Sequence, residues 1–134
     1  MKRIASAIAL CLLIVSCTPE GDTYTLEILP VAKVEMETAF AKDSVTEISV
    51  KYLRPSNCHF YEDFYYERID FTRVVAIYNA KLNKDNCQSV ANDTVTVPLK
   101  FKPTQLGTYT FKFWKGTNNA GEDEYFEYDA VVNH

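Results

Sequence analysis

Cys58 and Cys87 are two thiols about 30 residues apart, and in an exported chain an even pair of cysteines is expected to close as a disulfide. Such a bridge would contribute roughly 3 to 4 kcal/mol by restricting the unfolded chain. Metal binding is the alternative for the pair, but neither cysteine belongs to a CxxC, and His59 follows Cys58 directly, so on a strand it would point to the opposite face. His59 has no Ser or Asp companion recognisable along the chain, and a structural or exposed role is expected for it. The adjacent carboxylates Glu62 and Asp63 also fall on opposite faces of a strand, so they cannot flank one glycosidic bond. The chain carries no GxSxG, no HExxH and no phosphate-cradling glycine loop, and only two histidines, of which His134 is the last residue. No catalytic residue, metal or cofactor is therefore expected, and the chain is not expected to be an enzyme.

Binding chemistry is better represented. In "FKPTQLGTYTFKFW", residues 101–114, Tyr109, Phe111 and Phe113 alternate toward one face, which puts Thr110, Lys112 and Trp114 on the other. An outward Trp can stack on a sugar ring or anchor a protein contact. The alternatives, together weighed above exposure, are that a loop or the tether covers it, or that the strand turns at Lys115 and Gly116 and Trp114 plugs one end of the fold. Tyr61 and Tyr65 alternate against Phe60, Phe64 and Tyr66, and as outward tyrosines either could serve with Trp114 as a further contact. The segment Gly121–Glu124, with Asn118 and Asn119, offers oxygen ligands for calcium, but EF-hand spacing is absent and a solvated hairpin loop is the expectation.

The elements that must hold these residues alternate with a period of two, which indicates an all-β domain. In "DTVTVPLKF", Val95, Val97, Leu99 and Phe101 share one face; Pro98 cannot donate to a ladder and marks an edge or bulge. "TEISVKY" repeats the pattern through Ile48, Val50 and Tyr52, and "VAKVEM" does so through Ala32, Val34 and Met36. Pro30 separates the latter from "YTLEIL", as expected where a chain passes from one sheet to another. The stretch from His59 to Asn83 is too long for one strand and is read as two, joined near Glu67 to Asp70. "EYFEYDAVV" closes the domain with Phe126, Tyr128, Ala130 and Val132 inward. Seven or eight antiparallel strands without a covering helix imply a β-sandwich.

At the amino terminus, Lys2 and Arg3 precede an apolar run, Ile4 to Val15, interrupted only by Ser6. This is the pattern of a secretory signal, too short to span a bilayer, which needs about 20 apolar residues. Ile14, Val15, Ser16 and Cys17 resemble the lipobox of bacterial lipoproteins, which implies cleavage before Cys17 and its acylation. Residues 1–16 would then be the signal peptide, 17–23 a lipidated tether and 24–134 the folded domain. Acyl chains buried at about 0.8 kcal/mol per methylene would hold the polypeptide at a lipid bilayer while leaving it in water. Thr18, rather than Asp, follows the cysteine, so an inner-membrane retention signal is not evident. The expected location is the bacterial cell envelope, on the outer membrane, facing the periplasm or the cell surface. Glu20 and Asp22 are similar to the acidic surface-export signal of Bacteroidota lipoproteins, and equally suit a solvated tether.

The formal charge of the whole chain is −4, and removal of Lys2 and Arg3 takes it to about −6. An acidic chain lacking a Lys/Arg cluster has no electrostatic footprint for nucleic acid, and no nucleic-acid partner is expected. Nine Tyr, eight Phe and one Trp supply ample core for one domain. The LGTYTF segment resembles the corner before strand F of immunoglobulin-like domains, where the tyrosine, here Tyr109, bonds back through its hydroxyl. Phe111 stands where antibody domains carry their second cysteine, so Cys58 and Cys87 would form a different bridge. With the lipobox and the acidic tether, the chain resembles small immunoglobulin-like lipoproteins of Bacteroidota. That resemblance implies export and a binding or scaffolding role toward an envelope protein or glycan, and supplies no catalytic residue.

Overall fold

The computed structural model describes residues 21–134; the expected leader, residues 1–16, and the expected acylation site Cys17 lie outside the described residues. Among the described residues there are nine strands and no helix, in chain order: β1 (Tyr24–Leu29), β2 (Lys33–Glu35), β3 (Ala39–Ala41), β4 (Thr46–Leu53), β5 (His59–Ile69), β6 (Thr72–Leu82), β7 (Thr94–Phe101), β8 (Gly107–Thr117) and β9 (Asp123–Asn133). Six strands form a larger sheet and three, in the order β2-β4-β7, a smaller one. In the larger sheet β6 pairs along one edge with β5. Along the other it pairs with β8 over Thr72–Val75 and with β1 over Ile77–Leu82, while β9 and then β3 extend the sheet beyond β8.

The inward residues of the two-residue alternation meet between the sheets. Ile48, Val50 and Tyr52 of β4 and Val97, Leu99 and Phe101 of β7 belong to the same buried cluster as Val75, Ile77, Tyr109, Phe111, Phe113, Ala130 and Val132 of the larger sheet. Its centre is aromatic: Phe101 and Phe111 meet edge to face with ring centroids 5.0 Å apart, a favoured geometry for aromatic quadrupoles. Pro98 lies on the edge strand β7, exposed, where its missing N–H is tolerated. The chain changes sheets at Pro30, between β1 and β2.

Nine strands replace the expected seven or eight, and two pairings, β3 with β9 and β6 with β8, are parallel rather than antiparallel. β3 is only three residues long, too short to leave an alternation, and its core contribution is the single buried Phe40. The parallel β6–β8 pair arises because the β5–β6 hairpin adds one chain reversal and places its second strand beside β8. That hairpin turns at Asp70 and Phe71, with Asp70 in the left-handed region at φ 51°, close to the junction expected from the sequence. Ala32, expected inward, is exposed; it precedes β2, and Val31 takes the core position. Tyr128, also expected inward, shares the face of Phe113 but remains 36% exposed near the margin of the core.

Cys58 and Cys87 form the expected disulfide, with Cα atoms 5.6 Å apart. It fastens the turn-rich segment after β6 to the start of β5. The same attachment is reinforced by the Ser56–Ser89 bridge and by the Gln88 amide, which donates to Asn57 Oδ1 at 2.9 Å.

Candidate functional site

Trp114 sits on the outer face of the larger sheet, opposite Tyr125 of β9, with Thr110 and Lys112 on the same side. It does not plug an end of the sandwich. An irregularity between Trp114 and Gly116 leaves Lys115 out of the ladder, but pairing resumes at Gly116 and Thr117, so the strand does not turn there. The indole is half-buried, and its Nε1 donates to Asp123 Oδ1 at 3.0 Å.

Tyr65 of β5 lies opposite Ala76 of β6 on this same face, and Ala76 is one residue beyond the last β6–β8 pair, Val75 with Phe113. A row therefore crosses four strands, with Tyr65 on one side, the small Ala76 in the middle, and Trp114 and Tyr125 on the other. The short side chains of Ala76 and Val74 floor a groove of about 270 Å³, closed toward β1 by Ile28. Two carboxylates serve it. Glu67 accepts from the Tyr65 hydroxyl at 3.0 Å, and Asp123 accepts from Trp114. The Glu67 hydrogen bond and charge push the Tyr65 phenol pKa above its ordinary value; for Tyr125 burial does so first, with Asp123 and Glu67 adding to it. Lys112 Nζ lies 4.5 Å from the Tyr125 ring centroid and pairs with Glu127 at 3.7 Å, so a cation borders the acidic side of the groove. Flat rings beside hydrogen-bonding carboxylates can stack against and orient a polar ring-shaped ligand.

Tyr61 is not part of this arrangement. It was expected to share the outward face of Tyr65, but the β5–β6 register slips between Tyr61 and Asp63, inserting one residue. One extra residue moves every earlier side chain to the other face. Tyr61 consequently lies opposite the buried Asn79 and packs against the core, with Phe64 edge to face at 5.5 Å. Tyr125 and Glu67 complete the groove without having been singled out as contacts in the sequence, and Asp123 joins it from the Gly121–Glu124 segment, which was read there as a solvated loop. The signal for Tyr125 was its position in the strand that pairs with Trp114, which becomes readable only once the β8–β9 register is known.

The same outer face continues toward β1 as an apolar strip. Tyr24 and Leu26 are 60% and 64% exposed, and Ile28 and Phe60 are also open; Tyr24, Leu26, Phe60, Ala80 and Leu82, with the single carboxylate Glu62, surround a second hollow. A sheet face turned to water is ordinarily polar.

His59 is buried, and the fold gives it two companions that local sequence did not reveal. Its Nδ1 lies 2.6 Å from Ser56 Oγ and its Nε2 3.1 Å from Glu27 Oε2. Ser, His and carboxylate are the components of a nucleophilic triad, but here the Ser56 hydroxyl also accepts the Cys58 amide N–H at 3.1 Å, and both Ser56 and His59 are buried. The trio ties β1 to the start of β5 beside the disulfide. In the Asn118–Glu122 turn, the Asn118 carboxamide oxygen accepts the Ala120 and Glu122 amides, so it is engaged in holding a hairpin loop. Among the described residues no group of three or more His, Cys, Asp or Glu converges as metal ligands, and none of them belongs to a helix long and apolar enough to cross a membrane.

The Tyr109 ring is buried between Phe71, at 5.0 Å, and Phe101, at 5.2 Å. No hydrogen bond from its hydroxyl is found among the described residues, in contrast to the expected corner. Comparison with known proteins finds no family model, no curated protein and no solved structure that matches this chain.

Proposed function

We propose that this chain is a noncatalytic module of a bacterial cell envelope, anchored through an acylated Cys17, that binds another envelope component through the outer face of its larger sheet. The observation that carries this reading is the run of exposed apolar and aromatic side chains on that face, from Tyr24 and Leu26 to the groove at Trp114. Apolar patches of this kind, rimmed by charges such as Glu67 and Asp123, are the usual mark of an interaction site. Anchorage rests on the leader pattern ending at Cys17, and the kinship with small immunoglobulin-like lipoproteins of Bacteroidota belongs to the same reading. Its support is the core-facing Tyr109, Phe111 and Phe113; the parallel β6–β8 pair departs from that likeness.

A glycan as the component is favoured by one feature, the Tyr65–Ala76–Trp114 row with its two carboxylates. Sugar stacking needs ring faces, and hydroxyl recognition needs acceptors such as Glu67 and Asp123.

Intact-mass analysis of membrane-extracted protein tests the anchor: acylated protein beginning at Cys17 is expected, and a product without added acyl mass would overturn it. Photo-crosslinkers placed at Leu26, at Trp114 and, as control, at Glu47 on the smaller sheet test the face. Adducts at the first two but not at the control are expected for a protein partner. A saturable change in Trp114 emission with envelope oligosaccharides is expected for a glycan. Neither adduct nor emission change would remove the proposed binding face.

A further inference from the structure

The opposite, inner side of β6 carries a charge that the core should not tolerate. Arg73 is only 5% exposed, and it stands in line with the buried apolar residues Val75 and Ile77. Its Nη1 donates to two backbone carbonyls, Asp70 O at 2.7 Å and Thr72 O at 3.0 Å, while its Nε is buried with no partner. The guanidinium lies 5.1 Å from the Tyr109 ring centroid and 5.8 Å from that of Phe101. Ring faces and carbonyl dipoles attract a cation without neutralising it. A buried charge without a counter-charge is strongly unfavourable, and it persists where a partner is supplied.

The neighbours of Arg73 add positive charge. Arg68 of β5 is directly opposite it in the ladder, on the same face, a like-charge pair that sheets ordinarily avoid. Arg68, Arg73, Lys100 and Lys102 line one cleft of about 570 Å³ between the edge strands β5 and β7. Among the described residues, the Lys and Arg side chains without an ion pair are these four and Lys81. In a chain of net charge −4, nearly all the uncompensated positive charge is thus gathered at one place, a Lys/Arg cluster where none was expected, because it is assembled from β5, β6 and the end of β7 and not from neighbours in sequence. Asp63 at the β5 bulge is the carboxylate that lines this cleft, and its Oδ1 already accepts the Phe64 amide at 2.8 Å. Asp70 lines a smaller hollow adjoining Arg68 and Arg73. Tyr66 is also at the cleft: burial pushes its phenol pKa up, against the charge of Arg73, hydrogen bonding to it and the charge of Arg68, so the phenol is a polar neighbour of Arg73 but brings no counter-charge.

We propose that the cleft between β5 and β7 is an anion-binding site in which Arg73 and Arg68 hold the carboxylate or phosphate of a small ligand and Lys100 and Lys102 attract it to the mouth. Guanidinium forks match both anions in geometry, and a charge-assisted bond to the partly dry Arg73 is stronger than one made at the surface. The site lies on the inner side of the larger sheet, whereas the Trp114 groove lies on its outer face, so the two are independent.

Calorimetric titration of the full chain, held in an uncharged detergent, with inorganic phosphate and separately with glucuronate tests the site. Saturable binding of one equivalent is expected for at least one of them, weakening as salt rises, and the preferred anion identifies whether phosphate or carboxylate is the natural group. Arg73→Gln and Arg68→Gln are each expected to weaken binding by about tenfold or more. Should Arg73→Gln lose its fold by circular dichroism, the double variant Lys100→Gln/Lys102→Gln, whose side chains are outside the core, is expected to lower affinity with an unchanged melting temperature. Trp114→Ala is expected to leave anion binding intact. Failure of both anions to bind more tightly than about 10 mM, or binding unaltered by the Arg68 and Lys100/Lys102 variants, overturns the proposal.

Discussion

Tyr52 is fully buried and its hydroxyl has no hydrogen-bond partner, so burial, ahead of the smaller effects of Arg54 and Asp93, pushes its phenol pKa above the ordinary 10.0. The folded state then holds the phenol proton more tightly than the unfolded state. Stability from this group is complete below pH 10.0 and is lost as pH rises from there through the folded value. Tyr52→Phe removes both the titration and the unpartnered hydroxyl. It is expected to be neutral or stabilising, by up to about 1 kcal/mol, and to flatten the alkaline decline in urea midpoints measured across pH. Trp114 is the single tryptophan, so emission reports its surroundings without ambiguity. For Trp114→Ala a cost of about 0.5 to 1.5 kcal/mol is expected, because its bond to Asp123 is exposed to water and the ring is only half-buried. A core plug would cost roughly 3 to 5 kcal/mol, and a loss of that size in chemical denaturation would contradict the outward placement.

At the scale of elements, β5 and the segment after β6 depend on each other through the Cys58–Cys87 bridge. Cys58→Ser/Cys87→Ser is expected to cost about 3 to 4 kcal/mol on the chain-entropy account, read as a lower denaturation midpoint, with the reduced wild type behaving alike. Gly107 opens β8 at φ 134°, and a Cβ there would stand 3.2 Å from the Phe71 ring, which itself packs on Tyr109. Gly107→Ala is therefore expected to destabilise by about 1 to 3 kcal/mol, with Phe71→Ala/Gly107→Ala recovering none of the backbone strain. The β5 bulge is the element-scale feature with the largest functional consequence. By one inserted residue it separates Tyr61, which faces the core, from Tyr65, which faces the groove.

For the whole molecule, one buried cluster draws on both sheets, so neither sheet retains a core without the other. A single cooperative unfolding transition is expected, with far-ultraviolet circular dichroism and Trp114 fluorescence coincident in urea; separated transitions would contradict it. The larger sheet also divides the molecule's two candidate binding surfaces. Its outer face is apolar and aromatic with carboxylates nearby, and its inner margin beside β7 is cationic.

Period-two alternation was sufficient to identify the all-β class and most of the core, because a side chain's face on a regular strand depends only on its neighbours in sequence. Ile48, Val50 and Tyr52, Val97, Leu99 and Phe101, and Tyr109, Phe111 and Phe113 could all be read this way. Cysteine parity likewise pointed to the disulfide, and Pro30 and Pro98 to a change of sheet and an edge. Arg73 left a trace too, as a charge in phase with Val75 and Ile77, but a trace does not say whether a counter-charge lies nearby. Strand order, the parallel pairs, the slip at Tyr61 and the meeting of Tyr65, Trp114 and Tyr125 were decided only in the tertiary structure. Each depends on which edges pair and in what register, and those choices are made by the total burial of many distant residues at once, which no local pattern encodes.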